Sequence, residues 1–245
     1  MISIKNIFSP IVKFSFVWTI LLFSQGQAQE ISGNELLNKA IAYHDPGNNY
    51  DTFKNTLVIT TQTPDGKERK STMKIDATAQ NFELKTARND KEVLYQITND
   101  SVQFTLDGKS SFTDEEAKAY NLTKARAIFM KNYYTYLYGL PMKLKDSGTI
   151  IDPVVERKNF MGKEYLVLAV KYEEGVGKDV WFFYFDPTTY ALKVYQFYHD
   201  QTKNDGEYIL LSEEEELSGI KIPKVRAWYL NKDEKYLATD TLSKI

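Results

Sequence analysis

Apolar positions along this chain repeat with two periods, one helical and one strand-like, and the changes of period divide it into segments. After Ser32-Gly33-Asn34-Glu35, residues Leu36, Leu37, Ala40 and Ile41 fall on one face at helical spacing. Ser32 and Glu35 have the separation of a capping box, which predicts a helix from about Gly33 to Tyr43, stopped by Asp45-Pro46-Gly47-Asn48-Asn49. From Phe53 the period falls to two. Strands are predicted at Phe53–Thr63, Lys67–Ile75, Asn81–Ala87, Glu92–Ile97 and Ser101–Leu106, with Pro64-Asp65-Gly66 as the first hairpin turn. Helical signals return at Thr113-Asp114-Glu115-Glu116, a second capping box. They resume after Asn121 to Thr123, through Ala125, Ile128, Phe129, Tyr133, Tyr136 and Leu137, until Gly139 and Pro141 end them. Seven more strands follow, near Val154–Asn159, Glu164–Tyr172, Asp179–Phe185, Ala191–His199, Tyr208–Leu217, Ile220–Leu230 and Tyr236–Leu242. No Pro/Gly/Ser linker divides the chain, so a single domain over residues 29–245 is expected, with helices inserted into one long antiparallel sheet.

One strand breaks the alternation. Val180-Trp181-Phe182-Phe183-Tyr184-Phe185 is bulky and apolar at odd and even positions alike, so both of its faces must be covered. Trp181, Phe183 and Phe185 share one face, and Tyr195 and Phe197 share a face of the next strand, joined through the turn Asp186-Pro187-Thr188-Thr189. Two explanations stand side by side. These aromatics form an ordinary core, or they line the concave side of a curved sheet as an apolar cavity, closed by the tyrosine-rich helix with Phe129, Tyr133 and Tyr136.

Composition bears on compartment. Lys5 and Lys13 precede an apolar run from Phe14 to Phe23, and Gly26-Gln27-Ala28 supplies small residues where cleavage would fall. Residues 1–28 are therefore read as a cleaved signal peptide, since the run is shorter than the about 20 residues a permanent span needs. A periplasmic monomer without a stable membrane anchor is the expectation. The absence of cysteine removes disulfides, thiolate metal sites and lipidation on an N-terminal cysteine. A formal net charge of −2 argues against nucleic acid as a partner.

Candidate chemistry is sparse. The two histidines, His44 and His199, each precede an aspartate, but neighbours on a strand point to opposite faces and do not chelate together. Gly175-Val176-Gly177-Lys178 lacks the following Ser or Thr and the following helix of a phosphate loop, and is read as a hairpin. Glu213-Glu214-Glu215-Glu216 is read as a solvated strand edge. No catalytic set, metal site or cofactor is expected.

The order of elements then matters as a whole. A capped helix, a five-stranded meander, a central helical insertion and a second meander carrying Phe185-Asp186-Pro187-Thr188-Thr189 resemble the LolA/LolB-like periplasmic lipoprotein carriers. His44-Asp45-Pro46 and Trp181-Phe182-Phe183-Tyr184-Phe185-Asp186-Pro187 also resemble an uncharacterised exported family common in Bacteroidota. The carrier resemblance implies a mainly β, α+β fold: a curved antiparallel half-barrel of about 10–12 strands with an N-terminal helix and a central helical lid. It implies no catalysis and a lipid, lipoprotein acyl chain or other apolar ligand. Two alternatives remain: a module that binds an envelope protein with the same half-barrel, and a hydrolase of envelope carbohydrate or ester.

Overall fold

The computed structural model describes residues 31–99 and 101–244; the segment read as a signal peptide lies outside them. Helix α1 spans Gly33–His44, α2 spans Asp114–Tyr120 and α3 spans Lys124–Gly139. Both capping boxes form: Ser32 with Glu35 starts α1, and Thr113 with Glu116 starts α2. The strands of the first meander are β1 Lys54–Gln62, β2 Glu68–Asp76, β3 Asn81–Arg88, β4 Lys91–Thr98 and β5 Ser101–Leu106. Those of the second are β6 Thr149–Phe160, β7 Lys163–Tyr172, β8 Val180–Phe185, β9 Leu192–Tyr198, β10 Glu207–Leu217, β11 Ile220–Leu230 and β12 Tyr236–Lys244.

Each meander is antiparallel to its neighbours in sequence order, and β1 pairs with β12, from Leu57 opposite Lys244 to Gln62 opposite Thr239. That one pairing fuses the two meanders into a single open sheet of 12 strands, ordered β5-β4-β3-β2-β1-β12-β11-β10-β9-β8-β7-β6. One core runs under it all. Leu36, Leu37 and Ala40 of α1, and Tyr134, Leu137 and Tyr138 of α3, are buried with Leu57, Met73, Leu84, Tyr95, Leu168, Phe183, Ile209 and Leu242 of the sheet. α3 packs against β3 and β4 of the first meander and β11 of the second, while α1 packs against β6, β7 and β11, so the sheet curves around α3. Among the described residues no helix is long and apolar enough to cross a membrane.

The opposite face of β8 carries its own small cluster. Val167, Tyr184 and Val194 are buried there, and the Phe160 ring lies 5.1 Å from that of Tyr184 and 5.5 Å from that of Tyr208. Four strand steps separate β6 from β10, about 19 Å on a flat sheet at the usual spacing. The tip of the β6–β7 hairpin therefore folds across the outer face and covers it.

The acidic run lies on the half of β10 that β9 does not reach. β10 pairs with β9 only from Glu207 to Leu210 and beyond that with β11 alone, so residues 213–216 form a sheet edge on one side, as expected. Lys224 donates to Glu213 at 2.8 Å, the Tyr43 hydroxyl to Glu214 at 2.9 Å, and Lys244 pairs with Glu215 at 2.9 Å. Partners from neighbouring elements reduce the repulsion along that edge.

Pro64-Asp65-Gly66 does turn β1 into β2, with Gly66 at φ +77° and its N–H donating to the Thr63 carbonyl at 2.9 Å. A side chain at Gly66 would meet nothing within 4 Å, so only the backbone conformation opposes one. Gly66→Val is expected to lower stability by about 1 kcal/mol or more in thermal unfolding, and Gly66→Asn by less, because Asn tolerates a positive φ.

His44 is fully buried at the end of α1. Its Nδ1 donates to the Lys221 carbonyl at 2.6 Å and its Nε2 accepts from the Leu192 N–H at 3.0 Å, which ties α1 to β11 and β9. Burial lowers its pKa below 6.5. A proton on Nε2 would break the bond to Leu192, so the unfolded chain takes up that proton more readily than the folded one. The His44 contribution is thus fully present above about pH 6.5 and is lost as pH falls from there through the folded-state pKa. Denaturant melts from pH 7.5 to 5 should show this slope in the native protein and a flatter one in His44→Gln. Asp45, next to it, accepts from the N–H groups of Asn49 and Tyr50 at 2.8 and 2.9 Å and shapes the exit from the helix.

Candidate functional site

The aromatic ladder begins in the core and ends in the open. In the β8–β9 register Phe183 faces Tyr195 and Trp181 faces Phe197. Phe183 and Phe185 have no exposed surface and Tyr195 has 1%, because α1 and α3 cover that part of the concave face. These three, expected to line a cavity, are packed core. Trp181 and Phe197 lie one residue pair further along and are only partly covered, their rings stacked at 4.7 Å.

The other wall comes from α3. Its helical repeat sends Tyr134, Leu137 and Tyr138 into the core and leaves Phe129, Tyr133 and Tyr136 facing the mouth. Phe129 is 54% exposed and stacks on Tyr133, which stacks in turn on Trp228 of β11 at 6.5 Å. Tyr136 packs edge-on against Trp181 at 5.4 Å and shares a hydrogen bond between hydroxyls with Tyr172. Five of the eight residues singled out in the sequence therefore meet: Phe129, Tyr133, Tyr136, Trp181 and Phe197.

Two adjoining open grooves, of about 630 and 570 Å³, share Phe129, Tyr133, Tyr136, Asp179 and Trp181 in their walls. The larger adds Phe197, Trp228 and Leu237. Both fall within the size range of small-molecule sites, and aromatic walls with a few polar groups are what such sites contain. A cleft of about 450 Å³ between β1 and β4 differs in kind. The Lys54–Asp76 and Lys74–Glu83 ion pairs, each at 2.7 Å, satisfy its charges.

Charge gathers at the rim of the larger groove. Asp179 and His199 pair at 2.7 Å, and the hydrogen bond to Asp179 raises the His199 pKa. Glu207 is half-buried nearby, and desolvation pushes its carboxyl upward. Asp240 accepts from the Thr61 hydroxyl at 2.5 Å and from the Trp228 indole N–H at 3.0 Å, which fixes the indole plane in the groove wall. Among the described residues no three metal-ligating side chains converge.

A family model described as a family of unknown function, DUF6503, matches residues 12–244, nearly the whole chain. The chain belongs to DUF6503. No curated protein matches it. Among solved structures this DUF6503 member is similar to a LolA superfamily protein from Nitrosomonas europaea, at 11% identity and a TM-score of 0.48, covering 87% of this chain and 92% of that one. It is similar to a putative outer membrane lipoprotein-sorting protein domain from Vibrio parahaemolyticus, at 11% identity and 0.47, covering 86% and 90%. A DUF1329 family protein from Desulfovibrio piger follows at 10% and 0.46, covering 87% and 92%. Likenesses this distant set no function for the DUF6503 chain.

Trp228 of the groove wall and Arg226 behind it were not singled out from the sequence. Trp228 and Arg226 of β11 are in phase with Ile220 and Ile222, the buried face of that strand. An arginine in phase with a buried face was a signal available in the DUF6503 sequence, and Arg226 is indeed only 1% exposed.

Proposed function

We propose that this DUF6503 protein is a non-catalytic binding or carrier protein for an apolar chain, a lipid or lipoprotein acyl group, held in the groove between α3 and strands β8, β9 and β11. The observation that carries the reading is a run of aromatic rings that grades from buried Trp228 to exposed Phe129, Phe129-Tyr133-Trp228 and Tyr136-Trp181-Phe197, beside about 630 Å³ of unfilled space. Core residues are packed to high density and leave no such space. Each methylene buried there contributes about 0.8 kcal/mol, so ten of them supply about 8 kcal/mol, from which the several kcal/mol of association and ordering cost is subtracted. Export by the N-terminal leader belongs to the same reading, as does a soluble monomer that moves its ligand through the periplasm.

The paired state of Glu213, Glu214 and Glu215 leaves less free charge for docking an envelope protein than the bare sequence suggests. A fluorescent fatty-acyl probe titrated into the purified protein tests the proposal. Saturable binding is expected, weakened about tenfold or more in Phe129→Ser with Tyr133→Ser, at nearly unchanged melting temperature because both rings are substantially exposed. Absence of saturable binding to the native protein would favour the protein-binding module.

A further inference from the structure

Arg226 is the largest fully buried side chain among the described residues. Its guanidinium donates to two carbonyls, Pro223 O at 2.6 Å and Leu137 O at 3.3 Å, stands 3.9 Å over the Tyr138 ring and lies beside the Tyr195 hydroxyl. Among the described residues it takes part in no ion pair. Asp240 sits opposite it in the β11–β12 register, but that carboxylate is directed to Thr61 and Trp228. Three buried polar atoms here have no hydrogen-bond partner: Arg226 Nε, the Tyr138 hydroxyl and the Tyr195 hydroxyl. A buried cation beside unpaired donors is costly, and an anion relieves both costs at once.

The cluster lies one side chain behind the groove. Tyr195 meets Trp228 edge-on at 6.3 Å, and Trp228 and Leu137, whose carbonyl Arg226 holds, both line the larger groove. We propose that the ligand is an amphiphilic anion, a long-chain carboxylate whose head passes Trp228 to accept from Arg226 Nε and the hydroxyls of Tyr138 and Tyr195. Its chain lies along the aromatic groove. This rests on the groove reading and adds the chemistry of the head group. Arginine suits that role because its planar fork matches a carboxylate and only two of its five N–H donors have been committed, both to neutral carbonyls.

Tryptophan-fluorescence titrations of the purified protein with palmitate and with hexadecanol, equal in chain length, test it. Palmitate is expected to bind about tenfold or more tightly than hexadecanol, as hydrogen bonds to a charged group imply. Tyr195→Phe, which keeps the ring and loses only the hydroxyl, should reduce that preference by about threefold or more, and Arg226→Gln should abolish it, with hexadecanol affinity unchanged. Melting curves accompany both variants; should Arg226→Gln fail to fold, Tyr195→Phe carries the test. Equal affinity for the two probes, or a preference untouched in Tyr195→Phe, overturns the anion site and leaves the groove reading standing. Binding of neither probe overturns both.

Discussion

Phe183→Ala should lower stability by roughly 3–5 kcal/mol, the loss typical of a buried phenylalanine cut to a methyl group. Phe183 has no exposed surface, stacks on Trp181 at 5.9 Å and touches Tyr195 at 6.5 Å in the one core that α1, α3 and both meanders share. Helices on one side and sheet neighbours on the other prevent the void from closing. For a chain of this length the melting temperature should fall by on the order of 10 °C. A near-neutral result would place Phe183 in a soft, ligand-lined space, contrary to its burial. The contrast with Phe129, 54% exposed where Phe183, Phe185 and Tyr195 are at most 1% exposed, separates the core part of the aromatic set from the groove part.

Gly206→Ala should be nearly as damaging, at about 2–5 kcal/mol from backbone strain and overpacking together. Gly206 enters β10 at φ +93°, and a Cβ there would stand 2.1 Å from the Phe197 carbonyl oxygen. Backbone cannot yield as a flexible side chain does. The same carbonyl accepts from the Asn231 amide at 2.9 Å, while the Gly206 carbonyl accepts from the Asn231 N–H at 3.0 Å, so a displaced strand also loses the tie between β9, β10 and the β11–β12 turn. Equilibrium urea unfolding of the variant measures the effect. A loss comparable with that of Gly66→Val would mean that the close approach relaxes without cost.

Much of this architecture was legible because it rests on local chemistry. Capping boxes at Ser32 and Thr113, the Pro64-Asp65-Gly66 turn and the two-period pattern each act within a few residues, and all 12 strands and the helix termini near Gly139 follow from them. The candidate groove was legible in part. Alternation placed Trp181, Phe183, Phe185, Tyr195 and Phe197 on one face, but alternation says nothing about how far along a strand the helices reach. Where α3 stops covering the sheet divides Trp181 and Phe197 from Phe183, Phe185 and Tyr195, and that limit is tertiary. β6 begins earlier than its sequence pattern suggests, at Thr149, since a register shift between Ile151 and Val155 breaks the alternation there. Glu213 to Glu216 was legible as an edge, since β9 pairs with β10 only as far as Leu210, but its partners on α1, β11 and β12 are remote in sequence and were not.

The central claim is that the space between α3 and strands β8, β9 and β11 holds an apolar chain, and a crystal structure with a brominated fatty acid tests it most directly. Bromine gives its own anomalous signal, so position is read without interpreting weak density for a flexible chain. The account predicts bromine peaks within van der Waals reach of Trp181, Tyr133, Phe197 and Trp228, in the groove of about 630 Å³. Bromine found only in the polar cleft between β1 and β4, or nowhere on the protein at saturating ligand, would contradict it.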